Sequence, residues 1–175
     1  METEIKIEVA DFEPIREQLR ALGAKQLSVV DEENIYLDRD GELARRNDSL
    51  RVRFDGRTRI TWKGPTEFRE GVIVRPEIEF AIISRSESPT AEVVDLLDKL
   101  GFRPVGNLTK KRETWHLNGI EIALDTLDFG QFVELEGPVE VISPVASALG
   151  LDLSQSLRDS YRKLRRERSS STPRG

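Results

Sequence analysis

Met1-Glu2-Thr3-Glu4-Ile5-Lys6-Ile7-Glu8-Val9 begins with charge and hydrophobe in alternation. Side chains on a strand point alternately to its two faces, so this segment is predicted as an amphipathic strand. One face carries Glu2, Glu4, Lys6 and Glu8, and the other carries Ile5, Ile7 and Val9. Same-face residues two apart stand about 6.6 Å apart. Two carboxylates at that spacing, with an ammonium beside them, suit a divalent cation and the anion it holds. A wetted strand face gives the same pattern, so the segment gains meaning only from the strands later in the chain.

Those strands repeat the alternation. On 50–54, Arg51 and Arg53 oppose Leu50, Val52 and Phe54. On 59–63, Arg59, Thr61 and Lys63 oppose Ile60 and Trp62. On 75–80, Arg75, Glu77 and Glu79 oppose Ile78 and Phe80. On 120–125, Glu121 and Asp125 oppose Ile120, Ile122 and Leu124, and on 132–136 Phe132, Glu134 and Glu136 oppose Val133 and Leu135. The run 110–115 alternates less cleanly, with Lys110, Arg112 and Thr114 against Lys111, Glu113 and Trp115. Further strands are expected over about 25–38, 72–83, 103–118 and 131–140. Asp55-Gly56 and Asn118-Gly119 mark hairpin turns.

Two amphipathic helices interrupt the strands. Ile15, Leu19 and Leu22 recur at helical spacing after Asp11, the expected N-cap, and Gly23 stops them. Ser88-Pro89 opens a second helix carrying Val93, Val94, Leu96, Leu97 and Leu100, closed by Gly101. A short helix near 144–149 and a basic one near 155–167 complete the chain. The expected class is α+β, with an antiparallel sheet large enough to curl and helices covering its apolar side. The charged faces then converge inside. The basic set is Lys6, Arg51, Arg53, Lys63, Lys110 and Arg112; the acidic set is Glu2, Glu4, Glu77, Glu79, Asp125, Glu134 and Glu136. Each charge buried without compensation costs several kcal/mol. Water and internal pairs relieve part of that cost, and a polyanion with divalent cations relieves more, because Arg and Lys take phosphate oxygens and carboxylates take a hard cation.

The bulk numbers narrow the classes. At 175 residues the chain is expected to form one domain over 1–168, with a disordered polar tail at 169–175. Charged residues at 34% against 37% hydrophobic must face water or a wet interior. A net charge of -5 argues against a nucleic-acid binder that relies on a global positive field. With no cysteine, disulfides, thiol catalysis and thiolate metal sites are excluded. No apolar run reaches membrane-spanning length and none reads as a signal-peptide core, so a cytoplasmic protein is expected.

The same residues carry a resemblance. Glu2-x-Glu4-x-Lys6 resembles the E-x-E-x-K signature of the CYTH superfamily, the triphosphate tunnel metalloenzymes. The order of the later motifs is similar too: Leu50-Arg51-Val52-Arg53, Thr61-x-Lys63-Gly64-Pro65, Arg75-x-Glu77-x-Glu79, Lys110-x-Arg112, Leu124-Asp125, Glu134-x-Glu136 and Ser160-Tyr161. The resemblance implies an eight-stranded antiparallel closed β-barrel, or tunnel, with flanking helices that binds a triphosphate and Mg²⁺ or Mn²⁺. In length, in Ile35-Tyr36-Leu37-Asp38 and in Lys110-Lys111-Arg112 before Trp115, the chain most resembles the class IV adenylate cyclase group, which converts ATP to cyclic AMP and pyrophosphate. The triphosphatase branch, inorganic or thiamine, shares the ligands and uses a Tyr-Lys pair to activate water; Tyr36 and Lys63 match it. The first Glu follows Met1 directly, and the terminal Tyr161 lacks the paired leucines often found after it.

Mapped onto this chain, the resemblance gives Lys63 and Tyr36 as catalytic residues. Lys6, Arg51, Arg53, Lys63, Lys110 and Arg112 are the triphosphate ligands. Glu2, Glu4, Asp125, Glu134 and Glu136 are the metal ligands, and Arg75, Glu77 and Glu79 are further lining. The expected partner is a nucleoside triphosphate or other triphosphate, with no nucleic acid, no membrane, and a homodimer left open. A non-catalytic polyphosphate- or nucleotide-binding module is the alternative class, although pure anion binding would not need the carboxylates. His116, the single histidine, reads as a structural hydrogen-bonder.

Overall fold

The computed structural model describes residues 2–69 and 72–171. Among the described residues there are ten strands: β1 (Glu2–Val9), β2 (Lys25–Asp38), β3 (Ser49–Phe54), β4 (Thr58–Lys63), β5 (Glu67–Arg69), β6 (Val72–Arg75), β7 (Glu77–Ala81), β8 (Arg103–Leu117), β9 (Ile120–Leu127) and β10 (Gly130–Glu136). The α-helices are α1 (Glu13–Ala21), α2 (Glu42–Arg45), α3 (Pro89–Lys99), α4 (Val139–Ala148) and α5 (Tyr161–Ser171). The strands are hydrogen-bonded in the order β5-β6-β1-β10-β9-β8-β2-β3-β4-β7. The pairs β1–β10, β10–β9, β2–β3, β3–β4 and β4–β7 run antiparallel. The class is α+β, an antiparallel sheet with flanking helices.

Ten strands stand where eight were expected, for a local reason. The segment 72–83 is not one strand: Pro76 lacks an N–H and breaks it into β6 and β7, and β5 is a further three-residue strand. The Asn118-Gly119 hairpin forms as expected. Asn118 at φ 51° and Gly119 at φ 84° give the primed turn that matches the twist of β8 and β9.

Other boundaries differ from expectation. The N-cap of α1 is Phe12 rather than Asp11, although the Asp11 carboxylate still accepts from the Glu13 N–H at 3.1 Å. Helix α4 begins five residues before its expected start, with Pro144 inside it. The expected helix at 155–167 divides into a 3₁₀ turn, Leu153–Gln155, and α5. Helix α5 runs to Ser171, into the expected tail; residues 172–175 lie outside the described residues.

The chain divides into two compact units. One comprises Glu2, Val29–Glu67 and Val74–Lys111; the other comprises Thr3–Ser28, Phe68–Ile73 and Arg112 onward. In the first, α3 lies on β3 and β4, and Leu97 packs with Leu37 and Val52. Ile35, Leu50, Ile60, Val93, Val94 and Phe102 surround that cluster. Ile78 and Phe80 on β7 are 52% and 63% exposed, against the expectation that helices cover the apolar side. In the second unit, Ile5, Ile7, Ile122, Leu124, Val133 and Leu135 are buried, and α4 lies against β10 with Ile142, Val145 and Ala146 inward. Each fully buried aliphatic side chain contributes roughly 1.5–3 kcal/mol. His116 is exposed on β8.

Candidate active site

Register places the polar side chains of the first unit in rows. Tyr36 faces Arg51, Arg51 faces Thr61 and Thr61 faces Glu79. Directly opposed residues share a face, so these four form one row across β2, β3, β4 and β7. Asn34, Arg53 and Arg59 form the next row. Lys63 lies two residues beyond Thr61 on the same face, opposite Glu77.

These rows are interlocked by ion pairs. Lys63 Nζ lies 2.5 Å from Glu2 and 3.3 Å from Glu77. Arg75 Nε lies 2.6 Å from the other oxygen of Glu2. The Thr61 hydroxyl donates to Glu79 at 2.7 Å, and Arg51 stands 3.7 Å from that carboxylate. Burial pushes the Glu2 carboxyl up, but Lys63 and Arg75 together outweigh it and hold the group at about 2. Glu77 is raised, first by burial and then, against the pull of Lys63, by the neighbouring Glu2 charge. Two carboxylates thus share one ammonium.

A second knot in this unit centres on Glu32, which is 1% exposed. Arg53 Nε lies 3.3 Å and Lys110 Nζ 3.5 Å from the same Glu32 oxygen. Asn34, 2% exposed, donates to that oxygen at 3.0 Å.

The other unit carries its own buried set. Lys6, 3% exposed, lies 3.2 Å from Glu134 and 3.9 Å from Glu4, with its ammonium 4.5 Å from the centre of the Tyr161 ring. Arg112 grips Asp125 through two bonds, at 2.7 and 2.6 Å, and also donates to Glu134. Bidentate pairing of this kind fixes direction as well as charge. Asp125 is fully buried and accepts a third bond from the Tyr161 hydroxyl at 3.0 Å. Burial, then the charges of Glu134 and Asp125, push the Tyr161 phenol well above its usual range, so it remains a donor.

Glu4 and Glu136 stand directly opposite each other on β1 and β10, and Lys6 opposes Glu134. Like charges placed opposite in a sheet repel, and a cation between them removes that repulsion. Hard carboxylate oxygens are the donors Mg²⁺ and Mn²⁺ take. The donor chemistry on β1 and β10 therefore fits a divalent ion. Among the described residues, no three Asp, Glu or His side chains are already grouped as a metal-holding set. Asp125 directs both oxygens to Arg112, and Glu2 is engaged by Lys63 and Arg75 in the other unit.

Most of the basic and acidic residues singled out in the sequence are thus interlocked within each unit; Glu136 is exposed on β10. Sequence reasoning missed Glu32 and Asn34. Their signal was available: Glu32-x-Asn34-x-Tyr36-x-Asp38 has the same two-residue parity as β1, masked by the apolar Val29, Ile35 and Leu37 around it. Tyr161, a motif residue with no expected role, anchors Asp125.

The family model described as CYTH domain matches residues 1–175. A Methanocaldococcus jannaschii protein named "Putative adenylate cyclase" is 30% identical over 178 residues, covering 94% of this chain and 98% of its own. A Pyrococcus horikoshii protein of known structure aligns with a TM-score of 0.79 at 27% identity, covering 96% of this chain and 99% of its own. A Hippeastrum protein, described as a "Putative adenylyl cyclase" with a dominant triphosphatase activity, aligns with a TM-score of 0.66 at 19% identity, covering 99% and 98%.

Proposed function

This chain belongs to the CYTH domain family, and from that premise we propose that it is a divalent-metal-dependent enzyme that converts ATP to cyclic AMP and pyrophosphate. One observation carries the reading: cations and carboxylates are buried and interlocked on the polar strand faces, with Lys6, Lys110, Glu4 and Asp125 each under a tenth exposed. A fold needing only stability does as well or better with apolar residues at such positions. A ligand carrying both phosphate and metal uses both signs of charge.

In this reading Lys6, Arg51, Arg53, Lys63, Lys110 and Arg112 take the phosphate oxygens and offset the charge that grows in the transition state. Glu2, Glu4 and Glu136, with Asp125 or Glu134, hold Mg²⁺ or Mn²⁺. The bound cation neutralises phosphate charge and orients the chain of phosphates. Glu79 and Glu77 keep Arg51 and Lys63 placed through their ion pairs, and Arg75 holds Glu2, the carboxylate that also pairs with Lys63. In the cyclase reaction the ribose 3′-oxygen attacks the α-phosphorus and pyrophosphate leaves.

The second reading is hydrolysis of a triphosphate, inorganic or thiamine. Tyr36 and Lys63 share the polar face of their unit, and a tyrosine near an ammonium can activate water toward the terminal phosphorus. The fold likeness to the Hippeastrum protein keeps this reading in view. A non-catalytic triphosphate-binding module is the third. A cytoplasmic location and no nucleic-acid or membrane partner belong to the same proposal, with a homodimer left open; no described helix is long and apolar enough to cross a membrane.

The test is to incubate the protein with Mg²⁺ or Mn²⁺ and ATP, tripolyphosphate or thiamine triphosphate, and identify the products. Cyclic AMP with pyrophosphate establishes the cyclase. Orthophosphate establishes the hydrolase. Binding without turnover of any of the three leaves the binding module.

A further inference from the structure

Glu32 lies outside every role assigned above, yet it is among the most buried charged groups of its unit, at 1% exposed. It stands on β2, between Arg53 from β3 and Lys110 from β8. Asn34 fixes its orientation. The Asn34 amide donates to Glu32 at 3.0 Å and to the Leu108 carbonyl at 3.2 Å, while its oxygen accepts from Arg53 Nε at 3.4 Å. Glu32 and Asn34 therefore both meet Arg53 at Nε, the root of the guanidinium fork. Phosphate is gripped by the paired nitrogens of that fork, and a partner at the root sets where the fork points. Lys110 is a point charge on a flexible stem, and a buried carboxylate restricts where that charge sits.

Resting on the triphosphate reading above, we propose that Glu32 is a positioning residue that aims Arg53 and Lys110 at the reacting phosphates without touching substrate itself. The consequence is that binding and turnover separate. Neutralising Glu32 removes a negative charge beside two cations, so their attraction for an anion is kept or strengthened. Their direction is lost, and catalysis depends on direction: a misplacement of about 1 Å costs on the order of 100-fold. A residue that only supports the fold would weaken both together.

The experiment compares the parent protein with Glu32→Gln and Glu32→Asp. Calorimetry measures metal-free binding of tripolyphosphate, and steady-state kinetics with Mg²⁺ or Mn²⁺ measures kcat on whichever triphosphate the parent processes. Glu32→Gln is expected to keep or lower the Kd for tripolyphosphate while kcat falls on the order of 100-fold. Glu32→Asp keeps the charge that compensates the buried cations, so it reports even where Glu32→Gln fails to fold. It is expected to hold Kd within about twofold and lower kcat about tenfold, because its reach is one methylene shorter. A Glu32→Asp protein at the parent kcat, or losses of Kd and kcat in proportion, overturns the positioning role and leaves the triphosphate reading standing. A parent that neither binds nor processes a triphosphate overturns that reading, and this role with it.

Discussion

Glu2 shows how single charges are balanced at residue scale. Burial opposes its ionised form, while Lys63 and Arg75 favour it and hold its pKa at about 2, against an ordinary 4.5. A carboxyl depressed on folding stabilises the fold fully above its unfolded value and loses that contribution as pH falls toward the folded one. The unfolding free energy of the parent relative to Glu2→Gln is therefore expected to be largest above pH 4.5 and to shrink toward pH 2. Urea titrations across that window check it, and a difference that ignores pH sinks it. Glu77, raised by burial and by Glu2, works in the opposite sense: its contribution is present at low pH and lost as pH rises through its raised value. Tyr36 and Lys63 separate the two reactions. In a hydrolase, Tyr36→Phe is expected to lower kcat roughly 10²–10⁴-fold with a much smaller change in substrate affinity. In a cyclase the attacking oxygen belongs to the substrate, and the same change costs little. Lys63→Ala is expected to harm either reaction, because the ammonium also neutralises phosphate. A hydrolase whose Tyr36→Phe variant turns over at the parent rate removes tyrosine from the mechanism.

At the scale of elements, Gly64 is decided by a neighbour rather than by its own backbone angles. Its N–H donates to the Pro76 carbonyl at 2.9 Å, and a Cβ there would sit 2.6 Å from Pro76 Cγ and 2.9 Å from the Trp62 ring. Both obstacles are stiff rings. Gly64→Ala is expected to destabilise the protein by about 1–3 kcal/mol through this overpacking, read as a lower urea midpoint with unchanged slope. A midpoint equal to the parent's would show that the joint between β4 and β7 yields freely. The same proline explains an error of sequence reading. Alternation predicts a continuous strand over 72–83, because parity carries no record of which partner each half takes. Pro76 lets β7 pair with β4 while β6 takes its place next to β1. Apolar pattern and turn residues together located β1, β2, β8 and β9 to within a residue or so, since each is long and punctuated by turns. It could not find α2, whose four residues are fewer than the helical period needs. Nor could it show that α3 reaches β3 and β4 but leaves Ile78 and Phe80 in water; the apolar pattern of a strand does not state the length of its cover.

For the molecule as a whole, ligand should act as a stabiliser. A ligand bound only by the folded chain adds about 2.7 kcal/mol at a hundred times its Kd. Tripolyphosphate with Mn²⁺ is expected to raise the thermal midpoint above that with tripolyphosphate alone, and Glu4→Gln to abolish the extra increment and nearly all turnover while the apo midpoint stays near the parent's. A carboxamide keeps the shape and loses the charge a hard cation prefers. Equal increments in parent and variant, or turnover untouched by a chelator, remove Glu4 from metal binding. The charged faces were legible because Lys6, Arg51, Arg53, Lys63 and Arg112 recur at one strand parity. Their partners were not, because which carboxylate holds which cation is set by register between segments far apart in sequence. That distance also governs how the chain is made. Glu4 pairs with Glu136 and Val9 with Gln131, so β1 has no partner on β10 until more than a hundred further residues have been synthesised. At about 5–20 residues per second the wait lasts roughly 6–25 seconds. During it the edge of β1 that β10 will take, on the strand carrying Ile5, Ile7 and Val9, stays open and could template aggregation. Glu2, Glu4, Lys6 and Glu8 alternate with them, so the charges that serve the folded protein also keep its first strand from sticking while it waits on the ribosome.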